Sequence, residues 1–485
     1  MPLDNRPMLA IPQLSPQQSG QERALWDQAL IERYDLAGPR YTSYPTVPQF
    51  STTFNEGDLQ TALARSNEGA KPLSLYVHLP FCSRVCYYCG CNRIVTAKRA
   101  VVAPYLVRLE RELALMAVQV DDSRPVRQLH WGGGTPTYLD DDEKRQLMAS
   151  IRRHFSLLDD DSGEYAIEVH PGDTSSASIA CLRELGFNRL SMGVQDFDPA
   201  VQRAVNRFNS VEEVTLLMAE ARTQGFHSIG MDLIYGLPCQ TWSSFEATLD
   251  QVIALAPDRL SVFSYAHMPQ RFKAQRQMDA ALMPGPAEKL EIFHRASDKL
   301  VAAGYVFIGM DHFAKPEDEL AVAQREGRLT RNFQGYANHG DCDLLAFGVS
   351  AISAVGDALF QNHKLLADYN HAVDSGHLPV AQGIVLTRDD MLRSSIIREL
   401  ICHFRLDITA VERCFDIEFH RYFATELTEL QPMTNDGLVV VTSEAILVTP
   451  RGRLLVRRVC MVFDAWLREE RLGGNRRGQR FSKII

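Results

Sequence analysis

A chain of 485 residues with 45% hydrophobic side chains can bury a large core, and its length suits two or three domains. Its 51 basic and 60 acidic residues give a formal charge of -9, spread along the sequence, which argues against a nucleic-acid partner and against a polybasic lipid contact. No stretch reads as a secretory signal or a membrane span, and the ten cysteines, four of them between positions 82 and 91, suit a reducing compartment with metal binding, so a cytoplasmic protein without a membrane partner is expected.

In chain order, residues 1–21 read as a disordered polar tail and 22–70 as an N-terminal extension. From about 71 to 310, short apolar or β-branched runs alternate with segments of helical period, the pattern of a parallel α/β architecture long enough for a barrel. Strands are predicted at 73–78, 126–131, 165–169, 188–193, 228–235, 259–265 and 305–310, with helices at 105–118 and 286–303 among those between them. The barrel domain is taken to residue 375. Beyond it, helices at 388–402 and 408–430, strands at 437–441 and 445–448, and a last helix from 451 predict a separate, mostly helical domain over 376–485. Helices followed by two short strands suit a winged-helix shape, although no basic reading helix accompanies it.

The run His78-Leu-Pro-Phe-Cys82-Ser-Arg-Val-Cys86-Tyr-Tyr-Cys89-Gly-Cys91-Asn92 begins at the end of the first predicted strand. Three thiolates in C-x3-C-x2-C spacing can each ligate one iron of a [4Fe-4S] cubane, leaving the fourth iron open to a small molecule. A zinc site with His78 or Cys91 as fourth ligand is the alternative, although zinc cysteines normally come as two separated knuckles. After the second strand, Trp131-Gly-Gly133-Gly134-Thr135 places bare amides where an anionic group could approach. Glu168, Gln195, Arg207 and Asp232 fall at or near the carboxyl ends of later strands, where barrel active sites collect.

The cysteine spacing after a first strand resembles the radical S-adenosylmethionine (SAM) superfamily. The likeness is closer still: Gly38-Pro-Arg-Tyr-Thr-Ser-Tyr-Pro-Thr46, Tyr76-Val-His-Leu-Pro-Phe-Cys82, Gly193-Val-Gln-Asp196, Asp232-Leu-Ile-Tyr-Gly-Leu-Pro238, Gly309-Met-Asp-His-Phe313 and Arg331-Asn-Phe-Gln-Gly-Tyr336 resemble the oxygen-independent coproporphyrinogen III oxidase family, from about residue 22 to the C-terminus. That resemblance implies a partial (β/α) radical SAM barrel with an N-terminal extension covering the site and a helical C-terminal domain. It also implies a reaction: SAM on the open iron is cleaved by one electron to a 5'-deoxyadenosyl radical, and two propionates of coproporphyrinogen III become vinyl groups, giving protoporphyrinogen IX in heme biosynthesis. The implied partners are the tetrapyrrole and a reductant such as flavodoxin or ferredoxin, acting on a monomer. Carried over by motif, Cys82, Cys86 and Cys89 hold the cluster. Tyr76, Gly133, Glu168 and Ile352 contact a first SAM, and Tyr88, Gly134, Thr135, Gln195, Arg207, Asp232 and Ala266 a second. Cys91 is implied near the substrate, and Arg40 is a candidate partner for a propionate.

Three positions depart from the family pattern: His170-Pro171-Gly172 replaces Asp-Pro-Arg, Tyr88 replaces phenylalanine, and Ala337-Asn338 replaces two threonines. Glu-x-x-Pro-Gly is closer to heme chaperones, so a heme or porphyrin carrier and a radical SAM paralogue acting on another tetrapyrrole stand as alternatives.

Overall fold

The computed structural model describes residues 24–472 and Phe481, so the predicted tail over 1–21 and most of the chain beyond 472 lie outside the described residues. The described residues form two compact units, each discontinuous in sequence: one of residues 50–296 and 341–385, the other of 24–49, 297–340 and 386–472. They are not the consecutive segments divided at 71 and 375 that a reading along the chain suggests. Residues 50–70 join the barrel strands, and 297–340 join the C-terminal helices.

The barrel unit is built on β1 (Leu73–Leu79), β2 (Pro125–Gly133), β3 (Glu164–Val169), β4 (Arg189–Gln195), β5 (Ser228–Tyr235), β6 (Arg259–Ser264) and β7 (Asp343–Phe347). Neighbours are parallel in the order β6-β5-β4-β3-β2-β1-β7. Beyond β7 the sheet continues antiparallel through β8 (Ile352–Val355), β9 (Ala358–Asn362) and β10 (Val380–Val385). The parallel strands are joined through helices such as α1 (Val102–Ala117), α2 (Asp141–His154), α3 (Ser176–Glu184), α4 (Val211–Thr223) and α5 (Trp242–Leu255). Side chains alternate across a pleated sheet. One face carries Leu75, Val77, Leu129, Trp131, Ile167, Met192, Met231, Leu233, Leu260 and Val262, all buried. α1 covers its part of that face with Leu106, Leu109, Leu113 and Met116 at helical spacing. Pro104 lies in the first turn of α1, where its missing N–H breaks no internal bond.

In the other unit, Val306–Gly309 and His312–Ala314 form an antiparallel hairpin, and Thr330–Asn332 pairs with Gly335–Ala337. The helix Arg388–His403 packs with Val456–Cys460 around Leu392, Ile396, Leu400 and Val459. Two predicted strands become a sheet of three, because Arg405–Asp407 pairs with Ala445–Val448, which also pairs with Val439–Val441. The single helix predicted over 408–430 is three helices, Ile408–Phe415, Phe419–Tyr422 and Ala424–Asn435. Asp416 takes a left-handed conformation (φ 47°) that closes the first, and the Glu412 carboxylate accepts the Phe419 N–H at 2.9 Å. The string Gly38–Thr46 is bound within this unit: Arg457 donates to the Gly38 and Pro39 carbonyls, and Tyr41 donates to Asp464 at 2.9 Å.

Candidate active site

The face of the sheet opposite the apolar one is polar, with three cross-strand pairs stepped two residues from one to the next. Tyr76 pairs with His130 across β1 and β2, Glu168 with Ser191 across β3 and β4, and Asp232 with Ser261 across β5 and β6. Tyr76 and His130 stack with ring centroids 5.8 Å apart. The Glu168 carboxylate lies 3.2 Å from His130 Nε2 and accepts the Gly133 N–H at 3.2 Å. Burial would raise its pKa, but these two partners outweigh burial and hold it below the usual carboxylate range. Asp232 behaves in the opposite way: burial pushes it up to about 6, against a bond from Ser261 and one from Ser191 at 3.4 Å.

Directly after β1 the chain turns into the cysteine loop. Phe81–Cys82 pairs in parallel with Ile94–Val95, closing the loop at its base. The glycine turn after β2 packs against that base: Gly134 N–H donates to Leu79 O and Thr135 N–H to Phe81 O, each at 2.8 Å. A Cβ at Gly134 would lie 2.7 Å from the Phe81 and Pro80 backbone, and Gly133 has φ 116°, so both positions require glycine. Within the loop the Arg93 guanidinium gathers carbonyls, donating to Cys89 O at 2.9 Å, Cys91 O at 3.3 Å and Cys86 O at 3.4 Å.

The thiols differ. Cys82 is buried and receives Thr135 Oγ1 at 3.7 Å, and burial pushes it up to about 11. Cys89 accepts from the Cys91 thiol and, at 3.4 Å, from the Cys91 N–H, which with Arg93 and Arg207 draws it down to about 6 against the opposing effect of burial. Cys91, the exposed member, is the donor in that pair and is raised well above the ordinary thiol range. Cys86 is approached by Arg207 Nη1 at 3.7 Å.

Of the remaining predicted residues, all but Arg40 fall on the same unit. Arg207 also donates to Gly193 O, and its Nε is buried without a partner. Gln195 has φ 70°, and its Oε1 is likewise buried without a partner. Orphaned polar atoms of this kind mark a place for a polar ligand. The Tyr88 carbonyl and the Ala266 carbonyl both accept from Gln275 Nε2, at 3.1 and 3.3 Å, and Ile352 opens β8. Arg40 belongs to the other unit, where it donates to Asp311 Oδ2 at 2.7 Å.

His130, Arg93 and Gln275 escape a reading of the sequence. His130 could have been found as a polar residue alternating within an apolar strand, and Arg93 as a base just after the cysteines. Nothing local signals Gln275. His78, a possible zinc ligand by sequence, is occupied: Nε2 faces Asn92 O at 2.9 Å and so carries the proton, leaving Nδ1 to accept from Tyr76 OH at 3.1 Å.

The donor set fits a cubane with one open iron. No three of the described His, Cys, Asp or Glu side chains form a group poised to hold a metal ion. A cubane does not need one, because its three thiolates bind three separate irons.

Residues 76–252 match the radical SAM superfamily, and residues 386–455 match the HemN C-terminal domain. Oxygen-independent coproporphyrinogen III oxidase of Pseudomonas aeruginosa is 50% identical over 460 residues, covering 95% of this chain and 99% of the relative. The protein of the same name from Escherichia coli is 51% identical over 460 residues, covering 95% and 98%. The solved structure of coproporphyrinogen III oxidase from Escherichia coli, a radical SAM enzyme, superposes with a TM-score of 0.87 at 50% identity, covering 92% of this chain and all of that one. Such enzymes use a [4Fe-4S] cluster and SAM. The chain belongs to the oxygen-independent coproporphyrinogen III oxidase family of radical SAM enzymes.

Proposed function

We propose that the protein oxidatively decarboxylates two propionates of coproporphyrinogen III to vinyl groups, yielding protoporphyrinogen IX without oxygen. The observation that carries this reading is the near full-length identity of 50% to enzymes of that name. The polar row and the thiol loop on one unit are consistent with it. When bound, the cluster and SAM supply one-electron cleavage of the sulfonium and a hydrogen-abstracting radical.

Cys82, Cys86 and Cys89 are the assigned cluster ligands. Glu168, held ionised by His130 and Gly133, suits the ribose diol or ammonium of a first SAM beside Tyr76 and Ile352. Arg207, with an unpartnered Nε, suits the carboxylate of a second SAM, with Gln195, Asp232, Tyr88, Gly134, Thr135 and Ala266 as its other contacts. Cys91, outside the ligand set, is proposed to lie near the substrate. A flavodoxin or ferredoxin is the proposed electron source, and the protein is read as a cytoplasmic monomer. No helix of the described residues is long and apolar enough to cross a membrane.

The carrier alternative loses its main support in the loop after β3. His170 Nδ1 accepts the Gly172 N–H at 3.1 Å, and the side chain is 8% exposed, so the ring serves its own turn rather than offering that nitrogen to a heme. Anaerobic incubation of the reconstituted protein with reductant, SAM and coproporphyrinogen III should yield protoporphyrinogen IX. SAM cleavage without that product, or heme binding without SAM cleavage, would overturn the reading. In the same preparation, serine at Cys82, Cys86 or Cys89 should abolish the visible iron absorbance, whereas Cys91→Ser should retain it.

A further inference from the structure

Between Cys82 and Ile94 the chain has neither helix nor strand, so the carbonyls of the cysteine loop must find partners outside a regular ladder. Cys82 O accepts the Thr96 N–H at 3.1 Å. The carbonyls of Cys86, Cys89 and Cys91 all turn to one side chain, Arg93. Its Nη1 donates to Cys89 O at 2.9 Å and to Cys91 O at 3.3 Å, and its Nη2 donates to Cys86 O at 3.4 Å. The loop is wound about a guanidinium. Arg93 is itself anchored, because the next two residues, Ile94 and Val95, pair with Phe81 and Cys82 at the base of the loop.

Arg93 supplies charge as well as shape. Every hydrogen-bond partner it has among the described residues is a neutral carbonyl, so its positive charge stays uncompensated, and its Nε is shut off from solvent without a partner. The charge reaches the sulfurs. Burial dominates at Cys82 and the Cys91 thiol at Cys89, yet Arg93 favours the thiolate at both. Arg207, which approaches Cys86 Sγ at 3.7 Å, is the proposed partner of a SAM carboxylate that would neutralise it. Arg93 has no such counter-ion.

We propose that Arg93 is a positioning residue for the cluster: its guanidinium sets the curvature of the thiol loop and holds a fixed positive charge against the cluster, easing its one-electron reduction. The inference rests on Cys82, Cys86 and Cys89 being the ligands. Three thiolates leave the oxidised cluster negative, and the electron delivered by the reductant adds a further negative charge with no bond made or broken. A cation fixed in a half-buried loop stabilises the reduced form more than the oxidised one, and cluster potentials follow the net charge and hydrogen bonding around the sulfurs.

The test is a mediator-controlled titration of the reconstituted protein with titanium(III) citrate, read by electron paramagnetic resonance of the reduced cluster. The rate at which a ferrous chelator bleaches the oxidised cluster is measured beside it. Arg93→Gln removes the charge and keeps an amide donor, whereas Arg93→Lys keeps the charge and loses the fork. Reduction of Arg93→Gln should be roughly tenfold less favourable or more, a fall of about 59 mV for one electron, while Arg93→Lys should stay within about threefold, roughly 28 mV. Bleaching should quicken roughly threefold or more in both, because neither side chain can hold the carbonyls of Cys86, Cys89 and Cys91 together. A wild-type potential in Arg93→Gln, or wild-type bleaching in both variants, overturns the proposal and leaves the ligand assignment standing. If Arg93→Gln holds no cluster, Arg93→Lys decides: a near wild-type potential with faster bleaching supports the proposal, and wild-type bleaching overturns it. A wild-type protein that takes up no cluster, or one that keeps its cluster when serine replaces Cys82, Cys86 or Cys89, overturns the ligand assignment instead.

Discussion

Two residues past Glu168, His170 is an 8% exposed imidazole whose Nδ1 caps the turn Pro171–Asp173. Burial, with Arg207 nearby, pushes its pKa down to about 3. A base depressed in the folded state keeps its full stabilisation above its unfolded pKa and loses it as pH falls from there towards the folded value. With an unfolded histidine near 6.5, the fold should lose about 2 kcal/mol between pH 7.5 and pH 5 through this group. Asparagine can supply the same cap acceptor without titrating. Urea midpoints of the apoprotein at the two pH values should therefore show a smaller acid loss in His170→Asn than in wild type, and equal losses would refute the assignment. At this scale the sequence was most informative where the chemistry is local. The three cysteines and the triple glycine carry their meaning in spacing of a few residues. His130, which meets Glu168 only diagonally across the paired strands β2 and β3, and Gln275, which reaches Tyr88 across most of the barrel unit's chain, do not.

Strands β1 to β6 were legible as apolar runs at regular intervals, and β5 spans the predicted 228–235. β7 to β10 were not separately recognised, because short buried runs after residue 340 share their composition with helix segments and loops. The helix break at Asp416 was hidden for a related reason: periodicity persists across it while the backbone reverses hand at one residue. The glycine turn shows how tightly elements constrain one another. Gly134 sits where its N–H meets Leu79 O and any Cβ would strike the Pro80–Phe81 backbone, which cannot swing aside as a side chain could. Gly134→Ala must therefore part the turn from the base of the cysteine loop. A destabilisation of roughly 1–3 kcal/mol is expected, as for overpacking elsewhere, together with at least a tenfold loss of SAM affinity by equilibrium dialysis. Wild-type SAM binding in this variant would separate the turn from the cofactor.

The division into two discontinuous units is the least legible property, since it depends on which distant segments touch. Within the barrel unit, Arg124 shows how such segments are tied. It is 2% exposed and donates to Asp343 Oδ2 at 2.6 Å, Ser66 Oγ at 3.0 Å, Asn67 Oδ1 at 3.1 Å and Lys71 O at 2.6 Å. Asp343 in turn accepts from Ser66 and from Gly356 N–H at 3.1 Å. Arg124 precedes β2, Lys71 precedes β1 and Asp343 opens β7, so one guanidinium joins the amino ends of three adjacent strands, two of which, β1 and β2, lead at their carboxyl ends into the cysteine loop and the glycine turn. Removing one partner of a buried pair strands the other: Arg124→Met should cost about 3–5 kcal/mol in chemical denaturation, and adding Asp343→Leu should recover part of that loss. Because stabilising and reacting groups occupy opposite ends of the same strands, SAM cleavage per loaded cluster should remain within about twofold of wild type in the folded double variant. A large loss of cleavage at full cluster loading would show instead that the staple sets the position of the polar row.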